Sequence, residues 1–194
     1  MPENHPILGR AIAIGVSAGG VDVLNRLFKN LPRPFPIPIF VTLHVSAHAA
    51  FIPEAFHGGP GLVVKESEDK EEIRSGHVYF AAADYHLLVE KTGRLSFSSE
   101  EPVHYSRPSS DVMLESAAET YGRDLLGIVL TGANDDGASG LAIVKAEGGR
   151  TIVQDPATAT SDTMPKAALK LCAPDEILSP EEIAASMIRW GEGK

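Results

Sequence analysis

The chain has 194 residues, 43% apolar and 22% charged, the balance of a soluble globular protein with enough apolar surface for its own core. A net charge of −9 argues against nucleic acid or an anionic membrane surface as the main partner. The single cysteine, Cys172, excludes an intramolecular disulfide framework and a thiolate zinc cluster. No apolar run reaches the ~18 residues of a membrane span, and the N-terminus lacks the basic start of a signal peptide. A cytoplasmic protein is the expectation.

Residues 1–9 read as a short tail and residues 10–194 as one domain. Ala11-Ile12-Ala13-Ile14-Gly15-Val16 is a continuous apolar run, the signature of a strand buried on both faces of a parallel sheet. A turn at Ser17-Ala18-Gly19-Gly20 follows, then a helix carrying Val21, Leu24, Phe28 and Leu31. A connector with Pro32, Pro34, Pro36 and Pro38 leads to a second buried strand, Ile39–Leu43, ending at His44. The middle of the chain holds short β runs at 62–64, 77–80, 86–89 and 95–97, the last two reading as a hairpin. The acidic stretch Glu66–Glu72 reads as a solvated loop.

After Pro108 a helix is predicted, capped by Ser109 or Ser110, with Met113, Ala117 and Tyr121 on one face and Gly122 at its end. A third buried strand, Leu125–Leu130, runs into Thr131-Gly132-Ala133-Asn134-Asp135-Asp136-Gly137 and a helix through Leu141 and Val144. A strand at 151–153 and a helix after Pro165 come next. Ser179-Pro180-Glu181-Glu182 is a capping box opening a last helix toward Trp190. This alternation predicts an α/β fold: a doubly wound, mostly parallel sheet with helices on both faces and an antiparallel hairpin, in three layers.

In an open α/β sheet, ligands bind beyond the carboxyl ends of the strands. Three such ends carry polar groups: Ser17, His44 and the Asn134-Asp135-Asp136 loop. Gly15-Val16-Ser17-Ala18-Gly19 fits G-x-S-x-G, a turn that presents a serine between strand and helix. The same turn also suits a phosphate, because the helix N-terminus offers free N–H groups, and it also fits a plain tight turn. A serine nucleophile needs a base and an acid to orient it. His44 is placed to be the base, and either Asp135 or Asp136 could orient it or cap the next helix. His48 lies four residues beyond His44, but without H-E-x-x-H a metal site is not indicated. Cys172 reads as a buried spectator.

From about Ala11 to Leu171 the chain resembles the catalytic domain of CheB-type chemotaxis protein-glutamate methylesterases. The resemblance rests on Ala13–Gly20, Leu43-His44, Arg107-Pro108-Ser109-Ser110-Asp111-Val112, Val129-Leu130-Thr131-Gly132, Asp136-Gly137-Ala138, Gly140 and Met164-Pro165, in that order. It implies Ser17 as nucleophile, His44 as base and Asp136, the aspartate directly before Gly137-Ala138, as orienting acid. It also implies an oxyanion site from backbone N–H groups of Ala18 and Ala133, and no metal or organic cofactor. The implied substrate is a γ-glutamyl methyl ester on chemoreceptor cytoplasmic helices, hydrolysed to methanol and glutamate, with deamidation of receptor glutamines in some members. Arg107 is a candidate contact to acidic groups of that receptor. Leu43 stands where the family usually has Gln, and Ala133-Asn134 where it usually has Met-Gly. Family members commonly carry an N-terminal receiver domain, whereas this chain opens almost at the first catalytic strand. The alternatives are the same triad turned to another ester or amide, and a catalytically silent module that binds a receptor or a phosphate.

Overall fold

A strand with no polar side chain must be covered on both faces, and Ala11–Val16 (β1) is buried at all six positions. β1 is the middle strand of the sheet in the computed structural model, which describes residues 9–44, 55–56 and 61–194. It pairs in parallel with β2 (Ile39–Leu43) on one side and β7 (Leu125–Val129) on the other. Beyond β2 lie β4 (His77–Phe80) and then the edge strand β3 (Val63–Glu66). Beyond β7 lie β8 (Arg150–Gln154) and β9 (Glu176–Leu178). Every ladder in this seven-stranded sheet is parallel.

Alternation along β1 divides the core into two. Ile12, Ile14 and Val16 face one layer, where they meet Leu24, Leu27 and Phe28 of α1 (Gly20–Asn30) and Ile183, Met187 and Trp190 of α5 (Pro180–Gly191). Ala11 and Ala13 face the other, with Met113, Leu114 and Ala117 of α2 (Ser110–Tyr121), Leu141 of α3 (Ala138–Ala146) and Met164 of α4 (Thr163–Leu171). This is the predicted three-layer, doubly wound arrangement. The hairpin, β5 (His86–Val89) with β6 (Leu95–Ser98), is antiparallel and stands apart from the main sheet. It packs on α2, where the Val89 N–H donates to Ser116 Oγ (3.1 Å) and Thr120 Oγ1 donates to Val89 O (2.7 Å).

Several boundaries differ from the sequence expectation. β9 was not anticipated: it is a three-residue edge strand whose Ile177 is 52% exposed, so no buried run marks it. The acidic stretch is solvated only in part, because Glu66 closes β3 and the buried Ser67 donates from Oγ to Phe80 O (2.8 Å). α4 begins at Thr163, with Pro165 inside its first turn, where a missing N–H costs nothing. The capping box of α5 is present, with the Glu182 carboxylate accepting both the N–H (2.9 Å) and the Oγ–H (2.7 Å) of Ser179. The predicted tail (except Gly9) and His48 lie outside the described residues. No described helix is long and apolar enough to cross a membrane.

Candidate active site

From β1 the chain runs outward through β2 to the β3 edge, then returns to β7 on the other side of β1. Strand order reverses there, and the crevice beyond the carboxyl ends of β1 and β7 is the expected place for a ligand. All three predicted polar positions lie at that end of the sheet. Val16 and Leu43 are Cα partners in the β1–β2 ladder, so Ser17 and His44 are the next pair in register. The His44 N–H donates to Val16 O (3.2 Å) and the Ser17 N–H to Thr131 O (2.9 Å), which ties the three strand ends together.

His44 Nε2 lies 2.6 Å from Asp136 Oδ2. Asp136 is fully buried and accepts three more hydrogen bonds, from Ser110 N at Oδ2 (2.6 Å) and from Ser109 Oγ (2.7 Å) and Asp111 N (3.0 Å) at Oδ1. Ser109 was a predicted cap for α2, and it is the N-cap residue, but its hydroxyl makes no cap bond. Its place is taken by Asp136, whose carboxylate sits on the first free N–H groups of that helix and at the positive end of its dipole. Burial works to raise the Asp136 pKa; the bonds from His44, Ser110, Asp111 and Ser109 outweigh it and hold the carboxyl below its usual range. An ionised Asp136 obliges His44 to carry its proton on Nε2, which leaves Nδ1 as the lone-pair nitrogen.

Ser17 is half-buried, and among the described residues no hydrogen bond joins its hydroxyl to His44. The loop beside it is pinned by Thr131 and Gly132. Thr131 Oγ1 donates to Ala18 O (2.8 Å), Gly132 N donates to Ser161 O (3.0 Å), and Met164 N donates to Gly132 O (3.0 Å). Gly132 is required by close approach: a Cβ there would lie 1.9 Å from Met164 Sδ and 3.0 Å from Ser17 Cβ. Ala18 and Ala133 are both exposed, and among the described residues neither N–H donates to a backbone carbonyl. Leu43 is buried against the start of α1, its Cδ1 2.6 Å from where a Gly20 Cβ would stand, so it backs the Ser17 turn.

The half-buried Arg107 is paired within the fold. Its Nη2 pairs with Asp84 Oδ1 (2.7 Å), and Nη1 donates to the carbonyls of Ser99 (2.9 Å) and Glu100 (3.0 Å). Asp135 does not meet His44; its Oδ1 is 3.0 Å from His104 Nδ1. Two participants were not found by sequence reasoning. Buried His86, on β5, accepts the Ser109 N–H at Nδ1 (3.2 Å) and donates from Nε2 to Glu101 O (3.2 Å), so it holds the serine that holds Asp136. Asp111 accepts the Gly140 N–H (2.7 Å) and lies 3.2 Å from His104 Nε2. Burial, with the Asp136 charge adding to it, pushes the Asp111 carboxyl pKa up. Embedded in an apolar β run, His86 offered only a weak signal. Cys172 is buried, which raises its thiol pKa.

The family model for CheB methylesterase matches residues 12–187. The chain belongs to the CheB methylesterase family. A relative from Leptospira interrogans is 47% identical over 182 residues, covering 92% of this chain and 93% of its own length. Protein-glutamate methylesterase FrzG from Myxococcus xanthus is 35% identical over 190 residues, covering 97% of this chain and 56% of its own length. The crystal structure of the Thermotoga maritima CheB methylesterase catalytic domain superposes with a TM-score of 0.86 at 33% identity, covering 93% of this chain and 98% of that one. The seven-stranded parallel sheet with its separate antiparallel pair is thus the CheB catalytic-domain fold.

Proposed function

We propose that this CheB methylesterase removes methyl groups from glutamyl γ-esters on the cytoplasmic helices of chemoreceptors, using Ser17, His44 and Asp136. The observation that carries the reading is the 2.6 Å His44–Asp136 contact at the strand end in register with Ser17. Ser17 Oγ attacks the ester carbonyl while His44 Nδ1 takes its proton. Asp136 keeps the other ring nitrogen protonated and stabilises the imidazolium that forms. The N–H groups of Ala18 and Ala133 receive the oxyanion, helped by the N-terminus of α1. Methanol leaves with the proton from His44, and a water deprotonated by the same nitrogen releases free glutamate and restores Ser17.

Relatives named protein-glutamate methylesterase support the substrate class. The same acyl-enzyme formed from a glutamine side chain, with ammonia leaving, gives the glutaminase reaction in the name of the Archaeoglobus fulgidus relative. Arg107 serves the site by fastening the Asp84 and Ser99–Glu100 segments beside it, since its guanidinium is already paired there. Residues 10–194 act as a single cytoplasmic catalytic unit.

The test is methanol release from receptor membranes premethylated with labelled methyl groups, with wild type and Ser17→Ala compared. Release by wild type and a loss of at least about 10³-fold in the variant are expected. Wild-type protein that is folded and releases no methanol would reject the substrate; a fully active Ser17→Ala would reject the nucleophile.

A further inference from the structure

Next to the site, Val103 and Ser106 close a two-residue turn with reciprocal backbone bonds, Val103 N to Ser106 O (3.1 Å) and Ser106 N to Val103 O (2.8 Å). Its central residues are His104 (φ 49°) and Tyr105 (φ 60°), both left-handed. Turns of this kind are ordinarily built from Asn-Gly or Gly-Gly, because a Cβ is penalised at both positions. The turn is held against the catalytic loop by side chains. His104 lies between two carboxylates, Asp111 Oδ2 at 3.2 Å and Asp135 Oδ1 at 3.0 Å, and Asn134 Nδ2 donates to Ser106 Oγ (3.4 Å). His104 therefore explains itself: it fixes the turn on the loop that carries Ala133 and Asp136.

Tyr105 has no such explanation within the fold. Its relative exposure is 104%, the highest of any large hydrophobic side chain described. A phenol wholly in water returns nothing to stability, while its backbone conformation is one a glycine or asparagine would take at less strain. Backbone strain that the surroundings enforce is typical of binding and catalytic segments, and tyrosine is among the side chains that anchor protein interfaces.

We infer that Tyr105 is a contact residue for the polypeptide that bears the scissile ester, presented by the His104-clamped turn. The inference rests on the methylesterase reading above and adds where the protein substrate is gripped. A glutamyl side chain that reaches Ser17 brings its own backbone across the rim, and the turn is fastened to that rim at Asn134 and Asp135. A small ester has no polypeptide to reach Tyr105, so the two kinds of substrate separate grip from chemistry.

The experiment compares wild type, Tyr105→Asn and His104→Ala on a methylated receptor cytoplasmic fragment and on N-acetylglutamate γ-methyl ester. Asparagine tolerates the left-handed backbone, so Tyr105→Asn is expected to melt at or above the wild-type temperature. Its KM for the receptor fragment should rise at least fivefold with kcat little changed, while kcat/KM for the small ester stays within twofold. His104→Ala should also raise the receptor KM, with a lower Tm. A Tyr105→Asn receptor KM within twofold of wild type overturns the inference and leaves the methylesterase reading intact. Parallel losses on both substrates also overturn it, because the turn would then act on the chemistry. Wild type that cleaves the small ester and not the receptor ester rejects the methylesterase reading and this contact with it.

Discussion

Asp136→Asn changes one atom at the most heavily bonded side chain of the site, and its effects can be worked out from the four donors around it. Oδ1 faces Ser109 Oγ and Asp111 N; Oδ2 faces His44 Nε2 and Ser110 N. An amide has one oxygen to offer, so its NH2 must face one of these pairs. If it faces the first, Ser109 can rotate its hydroxyl to accept, but the Asp111 N–H has nowhere to turn. If it faces the second, His44 can accept only by moving its proton to Nδ1, the position needed as base. Either way one buried backbone N–H is left facing a donor, at about 1–3 kcal/mol. For a chain of this size about 2 kcal/mol corresponds to a Tm fall of roughly 4–8 °C. If Ser17, His44 and Asp136 act as proposed, loss of the charge, joined by loss of the productive tautomer when the NH2 faces His44, should lower kcat by up to about 10⁴-fold.

The stability part has a definite pH dependence. Asp136 is held below the usual carboxylate range in the folded protein, while its unfolded value is about 3.9. A depressed carboxyl contributes stability that is present in full above the unfolded value and is lost as pH falls through the folded one. The gap in unfolding free energy between wild type and Asp136→Asn should therefore be constant from about pH 5 to 7 and close below about pH 4. Denaturant melts across that range, with methanol release measured at pH 7, test both parts. A variant with kcat within tenfold of wild type would refute the tautomer argument. A stability gap that widens on acidification would refute the assignment of a stabilised carboxylate.

Two further outcomes follow from the surrounding shell. Gly132→Ala drives a methyl into fully buried Met164 and against Ser17; a loss of about 1–3 kcal/mol in denaturant melts is expected, with a lowered kcat because the serine is displaced. His86→Leu leaves the Ser109 N–H unpaired, at about 1–3 kcal/mol. Its kcat should fall more than its KM rises, since Ser109 acts on Asp136 and not on substrate; an unchanged kcat in steady-state assays would show that the Ser109–Asp136 bond survives without His86.

How far the sequence could be read depends on where each piece of information resides. The buried strands announce themselves, because a run such as Ala11–Val16 has no polar face and only a doubly covered sheet accommodates it. Ser17 and His44 follow from the same logic, as polar residues at the ends of adjacent apolar runs that pairing brings into register. The choice of Asp136 over Asp135 was not available from spacing, since both precede a helix; it came from resemblance, and the structure separates the two by sending Asp135 to His104. β9 escaped because a half-exposed edge of three residues lacks both periodicity and a buried run. Arg107 is a cation beside a motif in the sequence, and its pairing with Asp84, more than twenty residues away, is visible only in the fold.

His86 and Tyr105 mark the two limits of local reading. The first reaches the site through a chain of bonds, His86 to Ser109 to Asp136 to His44, in which β5, the N-cap of α2, the β7–α3 loop and the residue after β2 each supply one member. No window of sequence contains that chain. Tyr105 is the opposite case: its environment in the fold is water, and the information lies in a conflict between residue type and backbone that only coordinates reveal. Residues whose local preferences are met by the fold are explained by the fold. One that violates them with no compensating contact among the described residues points outside the chain, which is the ground for the proposed grip of Tyr105 on a polypeptide substrate.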